Sequence, residues 1–320
     1  MGIGEWIIVA LLVVAGLIGL HAARLKRGQR LAEAAAPKTG RTTRVPGGAI
    51  HWVEAGEGPP IVLIHGLGGS LRNWTYAVSE RLADRHRVIS IDRPGCGYSE
   101  RAGDDHAALS TQARMIADFL DAEKIAKPLV VGHSLGGAVT LTLALEHPEK
   151  ISGFALVAPL THPVSKPPEA FAGLAVRSPL MRRALAWTVA VPLAKKYAAR
   201  TLAMVFAPEP APEDFVIRGG GVLGLRPRAF VATSADFAAS AGIAELAPKW
   251  EAIALPGGVL YGDEDALLDH REQGEALVAR LPHLEWTVLE GRGHMLPITA
   301  PDETAAFIRR MAERAFATPA

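Results

Sequence analysis

The sequence has one cysteine, Cys96, so it can close no internal disulfide and build no cysteine-based metal site. It has no H-E-x-x-H and no paired cysteine motif, so metal-ligand spacing is missing as well. Aromatic residues make up only 6% of the chain, and no internal repeat is visible. Net charge is almost absent. The formal value of +1 provides no global field to attract nucleic acid, and no nucleic-acid partner is expected. Apolar residues are plentiful: 49% hydrophobic against 21% charged is a globular composition with ample core. At 320 residues the chain has room for one large domain or two ordinary ones.

A further absence lies at the start of the chain. No lysine or arginine precedes the first apolar run, GEWIIVALLVVAGLIGLHAARLKRGQR, which is uncharged from Trp6 to Ala23 and ends at Arg24. As a helix those residues rise about 27 Å, against a bilayer core of ~30 Å. A cleaved signal would carry bases before the run and small residues spaced A-x-A after it. This leader carries Glu5, and its exit GLHAAR has no good cleavage site. The expectation is a retained single-pass anchor over residues 1–23 and a basic linker over 24–40. Arg24, Lys26, Arg27 and Arg30 follow the run, which places the bulk of the chain on the cytoplasmic side. Lys38, Arg41 and Arg44 extend a basic stretch suited to anionic headgroups.

Beyond the linker, short Val- and Ile-rich runs alternate with helical patterns. RTTRV and AIHWVEAG read as two strands joined at PGG, followed by the strands PPIVLIHG, RVISID, PLVVGHS, ISGFALVAP, GGVLYGD and LEWTVLEG. Helix-like segments lie between and after them: TQARMIADFLDAE, GGAVTLTLALEHP, REQGEALVARLP and ETAAFIRRMAERA. Continuous apolar strands covered on both faces predict an α/β fold with a mostly parallel, eight-stranded sheet and flanking helices. The alternation stops after the sixth strand. From THPVSKPPEA onward no strand is evident up to Pro256, and between Ala170 and Ala207 there are six bases and no acid. That pattern predicts a helical lid over 161–256, broken at Pro179 and Pro192, with the core divided into 41–160 and 257–320.

The sharpest motif is Gly132-His133-Ser134-Leu135-Gly136, a G-x-S-x-G between an apolar strand and a helix-like segment. A serine at such a turn sits in a strained backbone, needs small neighbours, and projects its oxygen beside free helix N-terminal N–H groups. With this motif the chain resembles the α/β-hydrolase family over about residues 40–315, the lid excepted. HGLGGS (65–70), DRPGCGYS (92–99), GHSLGG, YGDEDALLD (261–269) and GRGHML (291–296) stand in family order.

The resemblance implies two backbone donors for a developing oxyanion, the N–H groups of Leu67 and Leu135. A serine hydroxyl also needs a base. Of eleven histidines, His294 lies in a glycine-bent loop after the last strand, at the sheet edge that carries Ser134. His65 and His133 are expected to be structural, the latter pointing away from the cleft. A histidine base needs a carboxylate, which in family order comes between the serine and the histidine. The segment after the sixth strand, VAPLTHPV, has no acid, so the acid comes from YGDEDALLD. The family's G-x-x-D spacing selects Asp265, with Asp263 next and Glu264 and Asp269 facing solvent. Cys96 reads as a packing residue.

Ser134 implies acyl transfer without a metal or cofactor. Relatives with an aspartate nucleophile are excluded by Ser134, and the acid-free lid argues against aminopeptidase action, which must hold a substrate ammonium. The expected substrate is a small-molecule or lipid ester, the anchor and the apolar, basic lid favouring a lipophilic acyl chain. Hydrolysis of carbon–carbon bonds in ring-cleavage products is the alternative, and a non-catalytic binding protein on this fold is a third.

Overall fold

The computed structural model describes residues 2–165 and 168–317, so part of the proline-rich lid entry, residues 166–167, lies outside it. Among the described residues nine strands form one sheet: β1 (Arg41–Val45), β2 (Gly48–Ala55), β3 (Pro60–Ile64), β4 (Arg87–Ile91), β5 (Glu100–Arg101), β6 (Leu129–His133), β7 (Gly153–Val157), β8 (Gly257–Gly262) and β9 (Glu285–Leu289). Their order is β1-β2-β4-β3-β6-β7-β8-β9, and the two-residue β5 pairs with β2. The strands read from the sequence are therefore all present. The ninth is β5, too short to leave a pattern. Every pairing from β4 to β9 is parallel, and the β1–β2, β2–β4 and β2–β5 pairings are antiparallel.

The central strands are apolar throughout because both faces are covered. In β3, Val62 and Ile64 point into one core and Ile61 and Leu63 into the other. Among the described residues seven longer helices complete the framework: α1 (Ile3–Ala35), α2 (Leu109–Ala122), α3 (Leu135–Glu146), α4 (Pro179–Leu185), α5 (Val191–Phe206), α6 (Pro227–Ala239) and α7 (Pro301–Ala317). In α2, Leu109, Gln112, Ala113, Ile116, Phe119 and Leu120 repeat at helical spacing and are buried, an apolar stripe interrupted by one glutamine. α3 is buried on all sides from Leu135 to Ala144, which is why its sequence carries no amphipathic pattern.

Helix α1 runs without interruption through the apolar stretch and the basic segment behind it. Its most apolar 18-residue window has a mean hydropathy of 2.4 and is wholly unburied, so the helix is long and apolar enough to cross a membrane. Its far end is docked. Leu25, Ala32 and Ala36 are buried, His21 Nε2 donates to the Thr188 carbonyl (2.9 Å), and Arg226 pairs with Glu33 (3.3 Å).

Among the described residues, no strand lies between β7 and β8, and the intervening chain is helical. Pro179 starts α4, where its missing N–H costs nothing, and the Ser178 hydroxyl caps the helix by accepting from the Met181 N–H (3.4 Å). The expected break at Pro192 does not occur. Residues 179–206 stay helical, and Ala186–Ala190 widen into a π-turn just before the proline. The wider turn shifts the hydrogen-bonding ladder, so that the proline's missing donor and its ring are accommodated without a stop.

Candidate active site

The chain leaves β4 for β6, on the other side of β3, so the carboxyl ends of β3 and β6 meet where the strand order reverses. In an open α/β sheet this is where a ligand crevice forms. Ser134 caps β6 there, with φ 54° and ψ −123°, a conformation that L-residues adopt only under constraint from their surroundings. Its N–H donates to the Val157 carbonyl and its carbonyl accepts from Gly137 and Leu160. The tight elbow requires glycine at 136: a β-carbon there would stand 2.5 Å from the Ile64 carbonyl oxygen and 2.6 Å from that of His65. A β-carbon on Gly66 would stand 2.8 Å from the Ser134 Cβ, so the loop after β3 lies directly against the serine. The next residue in that loop is Leu67. Neither its N–H nor that of Leu135, in the first turn of α3, has an acceptor among the described residues.

Asp265 and His294 meet. His294 Nδ1 lies 2.7 Å from Asp265 Oδ2, and both side chains are almost completely buried. The second carboxylate oxygen accepts from the N–H groups of Leu267 (2.8 Å) and Leu268 (3.0 Å), so the carboxylate cannot turn. The lid closes on the same loop, where Glu209 accepts from the Gly293 N–H at 3.0 Å. Among the described residues the Ser134 hydroxyl has no hydrogen-bond partner. Asp263 accepts from the Gly291 N–H (2.7 Å) and pins the turn after β9. Asp269 is exposed and accepts from the Arg271 N–H (2.7 Å), and Glu264 is exposed.

His133 does not point away from the cleft. Its ring centroid lies 4.9 Å from that of His294, and its Nε2 donates to the His294 carbonyl at 3.0 Å. The side chain that follows Gly132 is thereby a strut under the histidine loop. Burial, and then the charge His294 can carry, lower its pKa to about 3, so the ring stays neutral. His65 is structural, as expected. Its Nδ1–H donates to the Gly66 carbonyl (2.8 Å) and its Nε2 accepts from the Arg93 N–H (3.0 Å). Burial and the neighbouring Arg93 lower it to about 4. Cys96 is buried, and burial raises its thiol to about 12.

Arg93 and Asp236 escaped the sequence reading. Arg93 is fully buried; it donates to the His65 and Gly66 carbonyls (2.9 and 3.0 Å) and pairs with Asp236 at 2.8 Å. Asp236, on lid helix α6 and also fully buried, takes Arg101 as a second partner. This ion network fixes the loop that carries the Leu67 N–H and ties it to the lid. The available signal was the arginine in ISIDRPG: a charge directly behind a buried strand must find a partner.

Among the described residues no cluster of His, Cys, Asp and Glu could hold a metal ion. The α/β hydrolase fold family matches over residues 59–301. A 2-hydroxymuconate semialdehyde hydrolase from Pseudomonas sp. (strain CF600) is 33% identical over 153 residues, 47% of this chain and 54% of that protein. A dihydrolipoyllysine-residue acetyltransferase component of an acetoin cleaving system from Pseudomonas putida is 41% identical over 36% of this chain and 31% of its own length. The chain thus spans about half or less of these relatives. Among solved structures, a thermophilic esterase from Thermogutta terrifontis superposes with a TM-score of 0.64 at 26% identity, covering 86% of this chain and 97% of that one. A membrane phospholipase A superposes with a TM-score of 0.67 over 99% of this chain and all of its own, at 23% identity, a likeness of fold. With the sheet, the elbow and the match over residues 59–301 in agreement, this chain belongs to the α/β-hydrolase family.

Proposed function

We propose that the protein is a serine hydrolase of carboxylic esters, with Ser134 as nucleophile, His294 as base and Asp265 as the acid that orients it. The observation that carries this reading is the Asp265–His294 hydrogen bond, made with the His294 ring 4.9 Å from that of His133, the residue before a serine in a strained elbow. Ser134 Oγ attacks the ester carbonyl while His294 Nε2 takes its proton, and the oxyanion is met by the N–H groups of Leu67 and Leu135. The alcohol leaves with the proton from His294. Water, deprotonated by the same ring, then clears the acyl-enzyme. A Ser134 hydroxyl without a hydrogen-bond partner among the described residues is compatible with this cycle, since catalytic hydrogen bonds tighten when substrate arrives.

The same proposal places α1 in a membrane as a single-pass anchor, with the hydrolase domain on the cytoplasmic side. Its support is the unburied apolar window and the four bases that follow it. An anchor favours lipophilic acyl esters. The test is hydrolysis of p-nitrophenyl butyrate and octanoate by the full chain in nonionic detergent, beside Ser134→Ala. Turnover that vanishes in the variant and is faster on octanoate is expected. Folded wild-type protein without turnover would remove the esterase reading. Extraction of the full chain from membranes with alkaline carbonate tests the anchor separately.

A second reading, hydrolysis of a carbon–carbon bond in a ring-cleavage product, is favoured by the likeness to 2-hydroxymuconate semialdehyde hydrolase. It would show as turnover of a hydroxylated dienoate with no release of p-nitrophenol.

A further inference from the structure

Between the docked end of α1, strand β5 and lid helices α4 and α6 lies a cavity of about 930 Å³, within the ~300–1,000 Å³ typical of small-ligand sites. It opens on a different side of α6 from Thr233, the lid residue that approaches the Leu67 loop: Arg228, Val231 and Ala232 face it. Its walls carry five cations, Lys26, Arg30, Arg101, Arg183 and Arg228. Two of these are engaged by carboxylates: Arg101 by Asp236, and Arg183 by Asp104, which Arg182 also holds. Arg228 gives one hydrogen bond to the Ser99 carbonyl. Among the described residues the side chains of Lys26 and Arg30 have neither an ion-pair nor a hydrogen-bond partner. Of the lining carboxylates, Glu33 already pairs with Arg226, so only Glu100 remains to oppose the free cations.

The position is as informative as the charge. Lys26 and Arg30 are one turn apart on α1 and follow the end of the apolar stretch at Ala23 by about 5 and 10 Å of helix rise. The His21–Thr188 hydrogen bond ties the lid to α1 about 8 Å of helix rise before Lys26, and the indole of Trp187 lines the cavity. Bases and an aromatic side chain at this depth are the chemistry of a phospholipid headgroup contact.

We propose that this cavity binds the phosphate of an anionic phospholipid headgroup, held by Lys26, Arg30 and Arg228. The placement of these bases at headgroup depth rests on the anchoring proposed above; their charge does not. The site takes no part in ester cleavage, so it can be tested without turnover. The experiment is native mass spectrometry of full-length chain carrying Ser134→Ala, so that bound lipid is not hydrolysed, in micelles doped with phosphatidylglycerol or phosphatidylcholine. One phosphatidylglycerol per chain should be retained, with phosphatidylcholine at least about 10-fold weaker. Lys26→Gln with Arg30→Gln should weaken phosphatidylglycerol about 10-fold or more, at ~1 kcal/mol per base near a membrane surface.

Arg24→Gln with Arg27→Gln removes the same charge from α1 residues that do not line the cavity. It should leave retention nearly unchanged. Equal losses in both pairs would reduce the effect to bulk attraction and overturn the site, as would equal retention of the two lipids. Displacement of phosphatidylglycerol by millimolar glycerol 3-phosphate would reassign the cavity to a soluble phosphate and overturn the lipid assignment. If the anchor or esterase reading fails while lipid retention survives, those failures appear in the carbonate and p-nitrophenyl assays alone.

Discussion

Replacing Asp265 with asparagine changes one atom and should disable the proposed reaction, for a reason visible in the hydrogen bonds. The carboxylate accepts on both sides: from His294 Nδ1 at one oxygen, and from the Leu267 and Leu268 N–H groups at the other. An amide has a single acceptor oxygen and must choose. Turning its NH₂ toward the two leucine amides would strand two donors, at about 1–3 kcal/mol each. The oxygen therefore stays with the leucines and the NH₂ faces His294. Nδ1 can then only accept, so the ring proton moves to Nε2, the atom that must take the proton from Ser134. The histidine is held in the wrong tautomer by the same contacts that once held the right one. A loss of ~10⁴ in kcat follows, or about 5.5 kcal/mol of activation free energy. The assay is kcat on p-nitrophenyl butyrate for wild type, Asp265→Asn and Asp263→Asn, each with a thermal melt to confirm folding. Asp263 pins only the turn at Gly291, so its variant should stay within about threefold of wild type. An Asp265→Asn protein that melts like wild type and keeps more than about a tenth of its kcat would refute this assignment of the acid.

Acid should destabilise the fold before its carboxylates titrate. His65 and His133 have pKa values near 4 and 3 when folded, against 6.5 in an unfolded chain. Their contribution is complete above pH 6.5 and is lost as pH falls toward those values, because the unfolded chain takes the protons first. For His65 the loss approaches roughly 3 kcal/mol near pH 4; a melting midpoint that is flat from pH 7 to 4.5 would contradict this. Gly136→Ala places a methyl group against two backbone carbonyls and should abolish activity together with proper folding, read as lost turnover and a lowered melting midpoint. At the proposed oxyanion positions only the backbone matters. Leu67→Ala should therefore keep kcat/KM within about tenfold of wild type, where Ser134→Ala loses a factor of ~10⁶. Asp236→Ala strands two buried guanidinium groups and should cost about 3–5 kcal/mol in a denaturation experiment.

The parts of this molecule that sequence made legible are those in which chemistry is local. Covered parallel strands must be apolar along their whole length, so the eight longer strands could be read from runs such as PPIVLIHG and PLVVGHS. The serine elbow is a contiguous motif, because the steric demand at Gly136 comes from the turn itself and the strand beside it. The loop of the proposed acid could be reached by elimination once the family order was granted, since only one loop between Ser134 and His294 in that order carries carboxylates; the choice of Asp265 within it comes from the resemblance.

What stayed hidden depends on distance or on compensation. The brace between Arg93 and Asp236 joins residues 143 apart, and although Arg93 stands out behind a buried strand, its partner appears only when the lid folds back over the sheet. His133 sits within the motif, and the motif specifies only that it may vary; its role follows from a carbonyl 161 residues away. Pro192 is the reverse case. Its local rule is correct, but a π-turn one step earlier absorbs the cost, and a residue-by-residue reading cannot anticipate that remedy. The unpaired bases of the cavity wall belong with these. Arg24, Lys26, Arg27 and Arg30 look alike as a string, and only the docking of α1 against the lid divides them into two that line the cavity and two that do not. That division is why the paired substitutions, alike in sequence and in charge, are expected to give different answers.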